Sequence, residues 1–268
     1  MTPEAADAGF RAETSAGVLT LTLNRPDVLN ALTAAMLEGL TKAVTKAGRD
    51  KAVRVIVLAA AGRAFCAGAD LGEVRERQTK GRFEHGDELR RAFNPLIAAI
   101  RRVEKPVVAV VQGTAAGAGA SLALACDLKV CATEAKFLNA FAKVGLVPDS
   151  GMTWILPRAV GLALALEQAW LGEPLWAERA LELGVVNRVA PPERLEAAAR
   201  ELVDALCAVP PLALALTKRA MNRALEAPSL EDQMEHEAQL QSYLGATSDH
   251  AEGVAAFLEK RAPKFKGE

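Results

Sequence analysis

The sequence predicts an α/β fold made of repeated strand–strand–helix turns and closed by a helical layer. Three observations carry this. Val53–Ala59 (VRVIVLA) and Pro106–Gln112 (PVVAVVQ) are β-branched runs, apolar on both faces and too short for helices, so they read as buried parallel strands. Leu128–Ala132 and Ala135–Phe137 add two short strands after a small helix at Ser121–Cys126. Beyond about Ser150 the strand signal nearly disappears, leaving only Val185–Val189. No exact repeat accompanies the pattern, so any solenoid-like winding follows from element order alone.

The elements can be justified in order. Val18–Leu23 alternates Leu with Thr as a half-buried strand does, and Asn24-Arg25-Pro26-Asp27 closes it. Thr33 is an N-cap candidate, and Met36, Leu37, Leu40 and Val44 follow at helical spacing up to Gly48. A loop, Ala60–Leu71, follows the first buried strand, and a polar helical stretch runs from about Arg82 to Arg102. Gly113–Ala120 is a second loop of small residues. In the last third, helical patterns fall at Ala159–Leu171, Trp176–Leu183, Pro192–Val209, Pro211–Ala224, Leu230–Leu244 and Ser248–Lys260, most of them punctuated by Gly, Pro or Asn. The Leu212, Leu214 and Leu216 face can pack on the core or form a subunit interface.

At 268 residues the chain is one large domain or one domain with a helical appendage; the expected division is a core over 1–199 and a helical region over 200–268. Composition that is 51% hydrophobic and 24% charged excludes disordered and low-complexity readings. A net charge of -1 and a single tyrosine supply neither the field nor the stacking surface that nucleic acid or an anionic membrane requires. No apolar stretch approaches a membrane span, and Met1–Gly9 has neither a basic nor an apolar leader region. Cys66, Cys126, Cys131 and Cys207 form no C-x-x-C, and the three histidines lie at no zinc spacing. Buried, reduced thiols, no metal site and a cytoplasmic location are the expectations.

Two loops follow buried strands and consist of small residues: Arg63–Leu71 (RAFCAGADL) and Gly113–Ser121 (GTAAGAGAS). Neither is a nucleotide motif. Small residues let a backbone N–H approach a ligand, and an N–H in the first turn of a helix adds partial positive charge. Two such groups converging on one oxygen make an oxyanion hole. The plainer reading of either loop alone is close helix–sheet packing.

LNRPDVLNAL (Leu23–Leu32), GRAFCAGADL (Gly62–Leu71), QGTAAGAGASLALACDL (Gln112–Leu128), VGLVPDSGMTWILPRAVG (Val144–Gly161) and FLEKRAPKFKG (Phe257–Gly267) together resemble the enoyl-CoA hydratase/isomerase, or crotonase, family over about residues 10–267. The resemblance implies a crotonase-like spiral of ββα turns with a C-terminal helical trimerisation region. It implies an acyl-CoA thioester as partner, a homotrimer or dimer of trimers, and no cofactor beyond coenzyme A as the thioester carrier. By position, it gives the oxyanion amides to Ala69 and Ala118. It assigns the walls around adenine and pantetheine to Asp27, Val28, Ala31, Ala67, Ala69, Asp70 and Leu71. Lys260, Arg261, Lys264 and Lys266 either approach CoA phosphates from a neighbouring subunit or form a solvated charge run.

The family's hydratases place two glutamates around the substrate. The matching residues here are Ser121 and Phe141, neither of them a carboxylate. A carboxylate occurs instead at Asp149, where family isomerases carry a catalytic Asp, and VGLVPDSGMTWILPR is similar to the isomerases that open the ring epoxide of phenylacetyl-CoA. One carboxylate suits a C=C shift, which takes a proton from one carbon and returns it two carbons away. Val147, Met152 and Trp154 are candidates to raise its pKa. Read from its neighbours alone, Asp149 is a helix N-cap, and one oxygen could cap while the other reacts. Ser121, Phe141 and Trp154 are the candidate substrate pocket, although core packing explains aromatic residues equally well. Asp70 and Asp127 read as structural. Glu73, Glu76, Glu84, His85, Asp87 and Glu88 fall in a charged, mobile stretch, with His85 facing solvent. The leading expectation is an acyl-CoA isomerase. Its alternatives are an enoyl-CoA hydratase with an unusual residue set and a catalytically silent acyl-CoA-binding subunit.

Overall fold

The computed structural model describes residues 9–81 and 84–268; the N-terminal residues 1–8 and the expected helix start at Arg82 lie outside them. Strands β1 (Phe10–Ser15), β2 (Val18–Leu23), β3 (Val55–Ala60), β4 (Val107–Val111), β6 (Leu128–Ala132) and β9 (Arg188–Ala190) form one sheet in the order β1-β2-β3-β4-β6-β9. Strands β5 (Thr114–Ala116), β7 (Lys136–Leu138) and β8 (Leu175–Trp176) form a second. Only β1 runs antiparallel in the large sheet. The chain lays β4 in the large sheet, β5 in the small one, and then the Ala118–Ala125 helix. It then repeats the move with β6 and β7. This is the strand–strand–helix turn of the crotonase fold.

Both faces of β3 are covered. Ile56 and Leu58 join the main core with Leu21, Met36, Leu40, Leu96 and Ile100, while Val55 and Val57 pack with Leu195, Ala199 and Val203. The sheet therefore lies between the Ala34–Arg49 and Asn94–Arg102 helices on one side and the Leu195–Cys207 helix on the other. The expected division at residues 199/200 falls inside that last helix, between the buried Ala199 and Val203. Thr33 caps the Ala34–Arg49 helix by accepting the Met36 amide at 3.2 Å, and its stripe of Met36, Leu37, Leu40 and Val44 is buried. Lys218, on the Pro211–Ala224 helix, donates to Ile100 O, Lys105 O and Asp127 Oδ2, tying the C-terminal helices to the core. Leu216 of the same helix is buried and Leu212 and Leu214 are half-buried.

Several expectations need correction. Edge strand β1 buries only Phe10, so its sequence carries no alternation. Within the charged stretch the structure adds a helix that the sequence reading did not place, Leu71–Thr79, with no buried residue. Asp70 caps it through the amides of Gly72 and Glu73, and Arg77 bridges Glu73 and Glu88 at 2.8 and 2.5 Å. The expected single helix at Ala159–Leu171 is two, Met152–Val160 and Leu162–Leu171, broken at Gly161 with φ 81°. Cys66, Cys126 and Cys131 are buried, and burial pushes each thiol up to about 12; Cys207 is only half-buried. Among the described residues, no helix is long and apolar enough to cross a membrane.

Candidate active site

The two small-residue loops meet. The Ala118–Ala125 helix starts at Gly117 (φ 51°, ψ −126°) with every residue buried. A Cβ on Gly119 would lie 2.7 Å from the Cys66 Cβ and closer still to the Cys66 carbonyl oxygen, and one on Gly68 would lie 2.9 Å from Ala116 O and 3.4 Å from Ala118 N. These glycines let the start of the helix rest directly on the Cys66–Ala69 backbone. Leu32 N donates to Gly68 O and Asp70 N donates to Leu32 O, at 2.8 and 3.0 Å, so the Ala69 N–H between them points away from Leu32. Neither the Ala69 nor the Ala118 amide finds an acceptor among the described residues. Two unpaired N–H groups on touching segments, one of them at a helix N-terminus, can hold a negative oxygen.

The segments expected to surround coenzyme A also come together. The Asn30 side chain donates to Ala61 O and Ala64 O and accepts the Arg25 amide, while Ala67 N donates to Leu29 O. Arg25 reaches Ala31 O at 2.6 Å and Asp70 Oδ2 at 2.8 Å. Opposing effects act on Asp70. Burial pushes its pKa up, but the Arg25 guanidinium and the two capping amides outweigh it and hold the carboxyl below its ordinary range. Asp27 and Val28 lie in a short turn, Pro26–Val28. Val28 and Leu71 are exposed and Ala31 is buried, so the pair of segments presents an apolar rim. Arg25 and Asn30, which hold this arrangement, were missed because the partners that join the two segments, Asp70, Ala61 and Ala64, lie 31 to 45 residues along the chain. The one local signal was an Asn suited to its φ of 57°.

Asp149 stands on a sharp turn. Ser150 and Gly151 follow with φ 53° and 79°, and the Asp149 carbonyl accepts Met152 N and Ser121 Oγ, both at 3.0 Å. The Met152–Val160 helix is capped by Gly151 without any side chain, so Asp149 is not its N-cap. Instead Asp149 Oδ1 accepts the Ser150 hydroxyl at 2.8 Å. Burial raises the Asp149 pKa, and the Ser150 bond and the positive field of His85 oppose the rise. His85 is exposed, at the start of the His85–Glu88 helix, and its field nevertheless reaches Asp149. Of the three apolar neighbours proposed to tune the carboxylate, only Met152 is buried; Val147 and Trp154 are exposed.

Ser121 thus lies one turn inside the helix that begins with Ala118, in contact with Asp149. The buried Phe141 ring comes within 4.0 Å of where a Gly117 Cβ would stand. Trp154 belongs to the Met152–Val160 helix, which follows the Asp149 turn. It lies across its helix from the buried Met152 and Leu156, 41% exposed, with the Arg158 guanidinium 3.3 Å above its ring. Of the C-terminal cations, Arg261 is bound to Glu252 and Glu259.

This fold and this pair of amides belong to a recognisable class. A family model described as enoyl-CoA hydratase/isomerase matches residues 13–268, and the chain belongs to that family. It is 43% identical over 251 residues to the 1,2-epoxyphenylacetyl-CoA isomerase of Escherichia coli K12, covering 94% of this chain and 95% of that protein. It is 44% identical over 258 residues to a Rhodobacter capsulatus protein named "Probable enoyl-CoA hydratase", covering 96% and 98%. An enoyl-CoA hydratase structure from Polaromonas sp. JS666 superposes with a TM-score of 0.89 at 35% identity, covering 96% of this chain and 99% of the other.

Proposed function

We propose that the protein is an acyl-CoA isomerase that shifts a C=C bond or opens a ring epoxide of the 2-(1,2-epoxy-1,2-dihydrophenyl)acetyl-CoA type. Asp149 is its acid/base, and the Ala69 and Ala118 amides hold the enolate oxygen. The observation that carries this reading is the Asp149 carboxylate, raised by burial and sharing a frame with the oxyanion helix through Ser121. A carboxyl above its ordinary pKa can both take a proton and return it near neutrality. Ser121 and Phe141 offer no second carboxylate to activate water.

In this reading the CoA moiety lies along the Asp27–Ala31 and Ala67–Leu71 segments, with no further cofactor. The thioester oxygen accepts both amides. Asp149 removes a proton from the acyl chain, negative charge gathers on the thioester oxygen, and the same carboxyl reprotonates the chain two carbons away. Product analysis by mass spectrometry in deuterated water, with a 3-enoyl-CoA and a 2-enoyl-CoA offered separately, tests the reading. Interconversion of the two without gain of water is expected, with a loss of roughly 100-fold or more in Asp149→Asn. An Asp149→Asn enzyme as active as wild type sinks the assignment. The 44% identity to a protein carrying a hydratase name supports the second reading, whose signature is water added to the 2-enoyl-CoA.

A further inference from the structure

Ser150 is 3% exposed and holds a φ of 53°, a left-handed conformation that strains a residue with a Cβ. Glycine would occupy it without strain, as Gly151 does at the next position with φ 79°. What serine adds there is a hydroxyl, and that hydroxyl is donated to Asp149 Oδ1 at 2.8 Å. Strain retained beside a reacting group is a pointer to function.

The rest of the turn explains what the hydroxyl is for. The Asp149 main chain is already pinned, since its carbonyl accepts both Met152 N and Ser121 Oγ. Ser121 sits on the helix that opens with Ala118, and Gly151 lies against Ile97 of the Asn94–Arg102 helix, so the turn is braced from two sides. Only the side-chain torsions of Asp149 remain to be fixed. Oδ1 is taken by Ser150, while Oδ2 accepts no hydrogen bond among the described residues. The charged group whose field reaches the carboxylate, again among the described residues, is His85 from the His85–Glu88 helix; Ser121 and Met152 meet the Asp149 carbonyl and carry no charge.

We propose that Ser150 is a positioning residue whose hydroxyl holds Asp149 Oδ1, so that Oδ2 alone carries the proton between the two carbons of the acyl chain. The inference rests on the acid/base assignment above. In the first half-step a C–H bond breaks, an O–H bond forms on Oδ2, and the electron pair enters the enolate. In the second, the enolate pair forms a C–H bond two carbons along and Oδ2 is left as carboxylate. One oxygen on one face does both, so the returned proton is the one removed. A carboxylate free to turn presents either oxygen and exposes its proton to water.

Ser150→Gly and Ser150→Ala test this. Glycine removes the hydroxyl and relieves the backbone, so its Tm is expected to be unchanged or higher, whereas alanine keeps the backbone strain. Both variants should lower kcat on a 3-enoyl-CoA by roughly 10- to 100-fold with KM unchanged. In deuterated water both should raise the share of product carrying solvent deuterium. The Asp149 carboxyl, followed by infrared difference against Asp149→Asn, should titrate at higher pH once the hydroxyl that stabilises its charge is gone. Wild-type label retention and an unmoved carboxyl titration in Ser150→Gly overturn the proposal. An active Asp149→Asn enzyme overturns the acid/base assignment instead, and the carboxyl titration still decides the Ser150 contact.

Discussion

At the scale of the residue, the group proposed to do the chemistry is one the folded state would rather not ionise. Burial raises the Asp149 pKa above its ordinary value of 3.8, so the native protein binds this proton more tightly than the unfolded chain does. The stability this contributes is whole below the unfolded value and is lost as pH rises through the folded one. Asn keeps the shape and the Ser150 contact without the charge. Asp149→Asn is therefore expected to melt higher than wild type at pH 7.5, and calorimetry at pH 3.5 should find the difference gone. A variant that melts lower at pH 7.5 contradicts the raised pKa. The catalytic and folding requirements on this carboxyl pull in opposite directions.

At the scale of the element, the site depends on how closely the Ala118–Ala125 helix seats on the Cys66–Ala69 segment. A Gly119→Ala methyl would meet Cys66 Cβ at 2.7 Å, a distance that real contacts do not show. The expected cost is about 1–3 kcal/mol of overpacking. Separating the two amides should also lower kcat by about 100-fold for each ångström of displacement. Gly245→Ala, which meets nothing within 4 Å, is the matched control and should leave turnover unchanged. The elements legible in the sequence were those whose own residues carry an apolar period: β2 with its Leu–Thr alternation, the Met36–Val44 stripe, and the apolar β3 and β4. The Leu71–Thr79 helix was illegible because it has no apolar face; it stands on the Asp70 cap, the Glu73–Arg77 pair within the helix and the Arg77–Glu88 pair. The oxyanion loops and Asp149 could be found by family register. The Arg25–Asp70 pair and the reach of His85 could not, since each depends on where the chain folds back, and the Ser150 contact joins neighbours but depends on the left-handed turn at Ser150, which the sequence did not announce.

At the scale of the whole molecule, the C-terminal helices leave large apolar side chains uncovered. Phe257 and Leu258, on the Ser248–Glu259 helix, are 84% and 73% exposed. Exposed aromatic and leucine side chains side by side mark a contact surface, in keeping with the trimer proposed from family resemblance. Light scattering is expected to give a mass of three or six times 28.3 kDa, and the Phe257→Glu, Leu258→Glu double variant should fall to a single copy. A wild-type protein that runs as a monomer refutes the trimer.

The proposed oxyanion donors are main-chain amides, and this bears on how such a chain can change over generations. Almost any codon at residue 69 or 118 still encodes an N–H in that place; only proline deletes it. The carboxylate, by contrast, is a side chain that one nucleotide change can remove or introduce elsewhere around the pocket. Charge stabilisation is thus inherited with the fold, while the choice of reaction is carried by a few replaceable side chains. Lineages can trade hydration for isomerisation without dismantling the apparatus common to both, so overall identity is a poor guide to which reaction a member performs.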